Sequence, residues 1–241
     1  MREIRYRAIA ADLRRDLGAA TPGSLLPSEA ELSQRYGVSR VTVRKALEVL
    51  REEGLIDSRQ GFGWFAAVAP VRQDLGHLGT IEAQMAAQGR QPGRKVLEFA
   101  WQEAPAPVAE LLGPGSVLRV RRLNLADGAP FALVTVWAPE RLAGSLSRDD
   151  VERSPFYELI GVGLASATQT IGAAAASAAD ARALGVPVGS PVLVCQRVTR
   201  SQDGEVVLVS EHVFPAHRTE FVVELVSPEP SIAPSGLRLL E

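Results

Sequence analysis

Residues 26–65 read LPSEAELSQRYGVSRVTVRKALEVLREEGLIDSRQGFGWF, and the small residues in this stretch divide it into elements. Ser28 with Glu31 has capping-box spacing, so a helix should start at Ser28. Leu32 and Tyr36 fall on its inner face, and Gly37 supplies the turn that follows. Ser39 is a good N-cap for the next helix, on which Val43, Ala46, Leu47 and Leu50 form one apolar stripe. Gly54 stops that helix. The residues after it then alternate as two short strands around Gly61-Phe62-Gly63. Upstream, Tyr6, Ile9, Leu13 and Leu17 keep helical spacing until Gly18 and the TPGS stretch end the pattern. Helix, helix, tight turn, helix and hairpin together outline a winged helix-turn-helix over residues 1–68.

The charges in the third helix point to a partner. At about 100° per residue, Arg40 and Arg44 lie one above the other beside the apolar stripe, with Arg51 on nearly the same line. An arginine pair on an exposed helix is by itself compatible with a solvated face. At the N-terminal end of the third helix, in this order of elements, it points to DNA. A recognition helix brings its first turn nearest the bases, where arginine binds guanine O6 and N7 bidentately. Arg40, Val41 and Arg44 are therefore expected at the groove, with Ser39 and Thr42 on phosphates. Arg59 sits at the base of the hairpin, and Gly61 lets its tip approach the duplex closely.

Length and composition are those of a globular chain: 241 residues, 46% apolar and 22% charged, enough for two domains. The net charge of −2 does not announce a polyanion partner. Residues 1–70 carry 11 basic and 9 acidic side chains, so placement rather than excess has to carry the DNA reading. No apolar run approaches the roughly 20 residues of a membrane span, and the N-terminus is amphipathic rather than signal-like. A cytoplasmic protein with no membrane partner is expected. The single Cys195 excludes an internal disulfide and reads as a buried thiol.

Residues 69–80 read as a linker, after which the pattern changes. VLRVRRLNL (117–125) and FALVTVWA (131–138) flank an ADGA turn, and DVERSPFYELI reads as a helix. ATQTIGAA (167–174) is a further strand. SAADARALGV is a short helix capped at Ser177, and PVLVCQRVTRS and VVLVSEHVF are strands joined by QDGE. Residues 81–227 thus form an α+β domain around an antiparallel sheet, with 228–241 a Pro/Ser-rich tail.

The opening stretch resembles the winged-helix domain of GntR-type bacterial transcription regulators. P-S-E-x-E-L, G-V-S-R-x-T-V-R-x-A-L and a Gly-x-Gly wing occur in order within residues 1–68. By that resemblance Ser39, Arg40, Thr42, Arg44 and Gly61 fall on DNA-contacting positions. The family usually has an arginine after the first glutamate of the first motif, where this chain has Ala30, so operator preference is expected to differ. Phe62-Gly63-Trp64 also departs from the small residues usual in the wing, and Trp64 is expected in the core.

The second domain resembles the effector-binding (UTRA) domain of the HutC subfamily, whose fold is chorismate-lyase-like. The matching segments are RRLNLADGAPFALVTVWAP, FYELI, the ALGVPVGSPVL stretch and SEHVFPAHRTEF. The resemblance implies a homodimer on a pseudo-palindromic double-stranded DNA operator, probed by a small-molecule effector, with repression the commoner sign. Phosphosugar-binding relatives carry R-L-R where this chain has Arg122-Leu123-Asn124, and polar residues where it has Val134, Leu208, Phe214 and Pro215. Of that set Arg122 and Tyr157 remain, which implies a less polar pocket and argues against an aminosugar phosphate. Arg119, Arg121, Arg122, Thr135, Trp137, Tyr157 and His212 are the candidate effector contacts, although solvated or core positions suit several of them equally.

Two other readings are a constitutive DNA-binding dimer without ligand and, from the fold kinship, a lyase-like enzyme. His77, His212, His217 and Cys195 show no metal-ligand spacing, and no G-x-S-x-G elbow or phosphate-cradling glycine loop occurs. No catalysis, cofactor or metal is expected, since a shared fold does not transfer chemistry.

Overall fold

A computed structural model of the chain describes residues 2–20, 23–59, 63–67, 70–76 and 78–224; for residues 2–4 and 59 it describes the backbone alone. The N-terminal part comprises α1 (Arg2–Leu17), α2 (Glu29–Tyr36), α3 (Arg40–Glu52) and a hairpin of β1 (Ile56–Arg59) and β2 (Gly63–Ala66). Its local signals act as the sequence leads one to expect. Ser28 Oγ accepts from the Glu31 N–H while the Glu31 carboxylate accepts from the Ser28 N–H, at 3.2 and 2.7 Å. Ser39 caps α3 through the Thr42 N–H.

Gly37 ends α2 in the left-handed region at φ 61° and turns the chain into α3. A Cβ there would meet no heavy atom within 4 Å, so a side chain would strain only the backbone. Gly37→Ala is therefore expected to cost about 1–2 kcal/mol of unfolding free energy, read by urea denaturation.

Ile9, Ala10, Leu13, Leu32, Val43, Leu47 and Leu50 bury one core, and Trp64 belongs to it. The indole Nε1–H donates to Glu29 at 3.3 Å and the Arg51 guanidinium lies 5.9 Å above the ring. Ahead of α2 the chain runs antiparallel to β2, Leu26 N–H donating to Trp64 O at 2.7 Å and Ala66 N–H to Ser24 O at 2.9 Å.

The stretch expected to be a linker contains regular structure. β3 (Val71–Asp74) pairs in parallel with β10 (Thr219–Val222), 148 positions later along the chain for each pair. α4 (Ile81–Ala87) follows, capped by Thr80. The large sheet comprises β4 (Pro92–Glu103), β5 (Ser116–Ala126), β6 (Ala129–Pro139), β7 (Leu164–Ala175), β8 (Pro191–Ser201) and β9 (Val206–Pro215). Its strand order is β4-β5-β6-β9-β8-β7, every neighbouring pair antiparallel. Asp127 (φ 51°) and Gly128 (φ 80°) form the two-residue turn from β5 to β6, the left-handed pair that a twisted hairpin favours.

Between the strands lie α5 (Ala106–Leu112), α6 (Glu140–Ala143), α7 (Arg148–Arg153), α8 (Phe156–Leu159) and α9 (Ala178–Leu184). DVERSPFYELI, read as one helix, is two: Pro155 cannot donate its backbone nitrogen and pushes Ser154 to an extended ψ of 150°. One sheet face is covered by α4, α7, α8 and β10, which bring Met85, Val151, Phe156 and Phe221 onto Val120, Val134 and Val136. The other face carries α9, with Ala181 and Leu184 against Leu133, Val192 and Val213.

Arg218, 5% exposed between β9 and β10, joins the two halves. Its guanidinium donates to Gly23 O before α2, to Pro130 O at 3.0 Å and to Leu184 O at 3.3 Å. Beside it the His217 ring stacks on Phe65 of β2 at 4.8 Å. Burial pushes Arg218 down to about 10, which leaves it a cation at neutral pH.

Candidate nucleic-acid interface and effector cavity

The apolar stripe of α3 is wholly buried, which turns the first turn of the helix outward. Ser39, Arg40 and Arg44 are exposed, Thr42 is half-buried, and Val41 is 69% exposed. A branched apolar side chain that exposed, beside an arginine with no ion pair among the described residues, suits a thymine methyl in a major groove. Ser39 Oγ and Thr42 Oγ1 sit 3.0 Å apart at the helix start.

Arg44 does not stand as Arg40 does. Its Nε and Nη2 fork onto the two carboxylate oxygens of Glu29 at 2.9 and 2.7 Å, and the same carboxylate takes the Trp64 indole hydrogen. The Arg44 hydrogen bond holds the Glu29 carboxyl below its ordinary value, so the pair is charged at neutral pH. The bidentate edge of Arg44, expected on guanine, is occupied by Glu29, and its remaining N–H groups are available for phosphate. Ala30, where the related motif has arginine, is exposed on the same helix, α2. Arg51 lies over Trp64 rather than on the line of Arg40 and Arg44. The side chain of Arg59 and the whole of Gly61 lie outside the described residues.

In the C-terminal domain, strand alternation sorts the expected effector contacts. Arg122, Tyr157 and His212 line one cavity under α8 and the start of α4. Arg119, Arg121, Thr135 and Trp137 face the opposite side of the sheet and are corrected out of the cavity. Successive side chains of a strand point to opposite faces, so Arg121 and Arg122 cannot share one. Arg119 pairs with Glu98, and Arg121 reaches Asp180 of α9 at 2.6 Å. Thr135 and Trp137 stand opposite Arg121 and Arg119 in the β5–β6 register, on that same face.

The cavity contains residues the sequence reading passed over as contacts. Cross-strand register aligns Arg122, Val134 and His212 in one row, and Val120, Val136, Ser210 and Arg197 in the next. Arg197 Nη1 donates to Tyr157 Oη at 3.1 Å and Nε to Gln169 at 2.7 Å. Ser210 Oγ and His212 Nε2 are 2.9 Å apart. Arg197 was hidden because its strand, β8, reaches the site only through β9; its one signal was a charge on the side of β8 that also carries Cys195. Asn124, Val134 and Leu208, noted in sequence only as departures, are wall residues.

Electrostatics give the cavity a sign. Arg122 is 6% exposed; its Nη1 donates to Val151 O at 3.3 Å and its guanidinium lies 5.2 Å from the Phe156 ring centre. Burial, with help from the Arg94 charge, brings it down to about 10, so it keeps its proton at neutral pH. Burial, then Arg197 and Arg122, pushes His212 down to about 3 and keeps it neutral. Arg94, behind Arg122, forms an ion pair with Glu82. Among the described residues no carboxylate forms an ion pair with either Arg122 or Arg197, whereas Arg94, Arg119 and Arg121 each have one. The walls between the two cations combine apolar Val134, Val136, Leu208 and Phe156 with Ser210 and the neutral His212. Such a lining is suited to an anion with a partly apolar body.

Cys195 is buried in β8, its thiol pushed up to about 12 by burial. Among the described residues no three His, Cys, Asp or Glu gather as a metal-holding group, and no helix is long and apolar enough to cross a membrane.

Comparison with known proteins finds two family matches along the chain. The family described as bacterial regulatory proteins, gntR family, matches residues 5–66, and the UTRA domain matches residues 87–220. The HTH-type transcriptional repressor NagR of Bacillus subtilis (strain 168) is 31% identical, covering 85% of this chain and 87% of its own length. The HTH-type transcriptional regulator Rv0792c of Mycobacterium tuberculosis is 37% identical, covering 91% and 83%. Among solved structures, PhnF from Mycobacterium smegmatis superposes with a TM-score of 0.62 at 28% identity, covering 91% of this chain and 99% of that one.

Proposed function

The chain belongs to the gntR family of bacterial regulatory proteins and carries a UTRA domain, and from that premise we propose how it binds DNA and its effector. It is a DNA-binding transcriptional repressor regulated by a small-molecule effector. The observation that carries the detailed reading is a pair of cavity guanidiniums that form no ion pair among the described residues, in one chain with an outward-facing third helix. Arg40 and Val41 read base edges in the major groove. Arg44, steadied by Glu29, and Ser39 and Thr42 bind phosphates that fix the register. Arg59 and Gly61 bring the wing to the adjoining backbone. A DNA partner puts this work in the cytoplasm.

The working unit is a homodimer on a pseudo-palindromic operator, because two-fold protein symmetry is matched by two half-sites. β7 supports a second copy as its neighbour. It is a twelve-residue edge strand, LASATQTIGAAA, without charge or proline and largely exposed, so it lacks the devices that keep sheet edges apart.

The effector is anionic, held between Arg122 and Arg197. Its binding favours a disposition of the two winged helices that no longer fits the half-site spacing, a shift between two states. Fluorescence anisotropy on DNA flanking the gene, at several salt concentrations and with candidate anionic metabolites, tests this. Tight binding that an anion reverses is the expected result. Affinity equal to that for an unrelated duplex of the same length would refute it. Arg122→Ala is expected to leave DNA binding intact while the anion no longer releases the operator; normal release by that variant would remove Arg122 from the site.

A further inference from the structure

Two side chains in the cavity have buried polar atoms with no hydrogen-bond partner among the described residues, and they sit two positions apart on β5. Arg122 Nε is one; Asn124 Oδ1 is the other, on a residue 2% exposed. The Asn124 amide cannot turn over to hide its oxygen. Its Nδ2 donates to Glu82 Oε1 at 3.0 Å, and Glu82 is ionised, because Arg94 lowers its carboxyl against the burial that would raise it. A carboxylate only accepts, so the NH2 must face Glu82 and the carbonyl oxygen must be left over. The two residues line one cavity, with Cα atoms about 6.8 Å apart from the strand rise.

We propose that the effector is a carboxylate bearing a neutral hydrogen-bond donor, a hydroxyl or amide N–H, beside its anionic group, and that Asn124 selects it. The carboxylate accepts from Arg122, the donor satisfies Asn124 Oδ1, and the apolar body lies on Val134, Val136 and Leu208. A phosphate dianion offers acceptors only and would set an oxygen against Asn124 Oδ1. An ammonium donor is disfavoured by the neighbouring Arg122 and Arg94 charges, since the nearby Glu82 carboxylate is already engaged by Arg94 and Asn124. The proposal rests on the anionic-effector reading above, and sharpens it from charge to donor pattern.

The test compares 2-hydroxy-4-methylpentanoate, 4-methylpentanoate and 3-methylbutyl phosphate, which carries no hydroxyl donor, on the full-length protein by calorimetric titration at neutral pH. The hydroxy acid is expected to bind at least about tenfold tighter than the acid lacking the hydroxyl, the worth of one buried hydrogen bond, and tighter than the phosphate. In Asn124→Leu, of similar shape, the ratio between the two acids should fall to about one while the acid without hydroxyl binds as before. Equal binding of the two acids by the native protein, or preference for the phosphate, overturns the role of Asn124 while leaving an anion site at Arg122. Failure of all three to bind at millimolar concentration overturns both readings. The native comparison stands even if the leucine variant does not fold.

Discussion

Arg40→Ala should lower the preference for operator over unrelated duplex by about 1–3 kcal/mol, a factor of roughly 5 to 150, at unchanged thermal stability. The side chain is exposed and makes no ion pair among the described residues, and its one electrostatic link is the smallest of the influences that hold the Glu29 carboxyl low. Its position even disfavours the free helix. A cation in the first turn faces the positive end of the helix dipole, which costs about 0.3–1 kcal/mol, and its removal should leave α3 as stable or slightly more so. A residue that helps neither packing nor helix is best explained by what it meets outside the protein. Arg44→Ala should differ in kind. Losing the Glu29-held guanidinium should weaken all DNA binding alike and reduce the salt slope by about one. Anisotropy with operator and random duplex over a salt series separates the two effects. An unchanged operator-to-random ratio in Arg40→Ala would remove the first turn of α3 as the reader.

Arg218→Ala should destabilise the chain by about 2–4 kcal/mol, since a buried carbonyl left without its donor costs about 1–3 kcal/mol and loss of the buried cation offsets part of the total. Three backbone carbonyls, on Gly23, Pro130 and Leu184, lose their donor at once, and they belong to three separate parts of the chain. Gly23 belongs to the winged-helix half, at φ 72°, where an added Cβ would come within 2.5 Å of Arg218 Nε. Pro130 begins β6 and Leu184 ends α9. Arg218→Lys should recover less than half, because one ammonium cannot reproduce the planar spread of donors. Urea denaturation followed by tryptophan fluorescence reads the loss. Trp64 reports on one half and Trp101 and Trp137 on the other, so uncoupled halves should unfold in two steps rather than one. A loss below about 1 kcal/mol would show that the carbonyls find other partners.

The winged helix was legible because its determinants are local. The Ser28–Glu31 box, the left-handed Gly37, the Ser39 cap and the Val43–Leu50 stripe each act within a turn or two of the chain. Where local signals gave out, reading stopped. The pairing of β3 with β10 joins segments 148 positions apart, and no periodicity announces it, so its first strand passed for linker. Ser154-Pro155, by contrast, was a local break available to the sequence, overlooked inside an amphipathic pattern.

The effector cavity was half legible for a related reason. Arg119, Arg121 and Arg122 form one cluster in sequence, yet the pleat sends the first two toward Glu98 and Asp180 and only the third into the cavity. Which parity faces inward is fixed by what covers each side of the sheet: α4, α7 and α8 on one, α9 on the other. By itself, then, the sequence determined the DNA-binding half and five of the six strands of the large sheet, β5 to β9, since capping, turn chemistry and periodicity act over a few residues. Tertiary structure alone decided that Arg122, Asn124, Ser210, His212 and Arg197 share one cavity. Strand register brings them together across four strands, and register depends on contacts between distant parts of the chain.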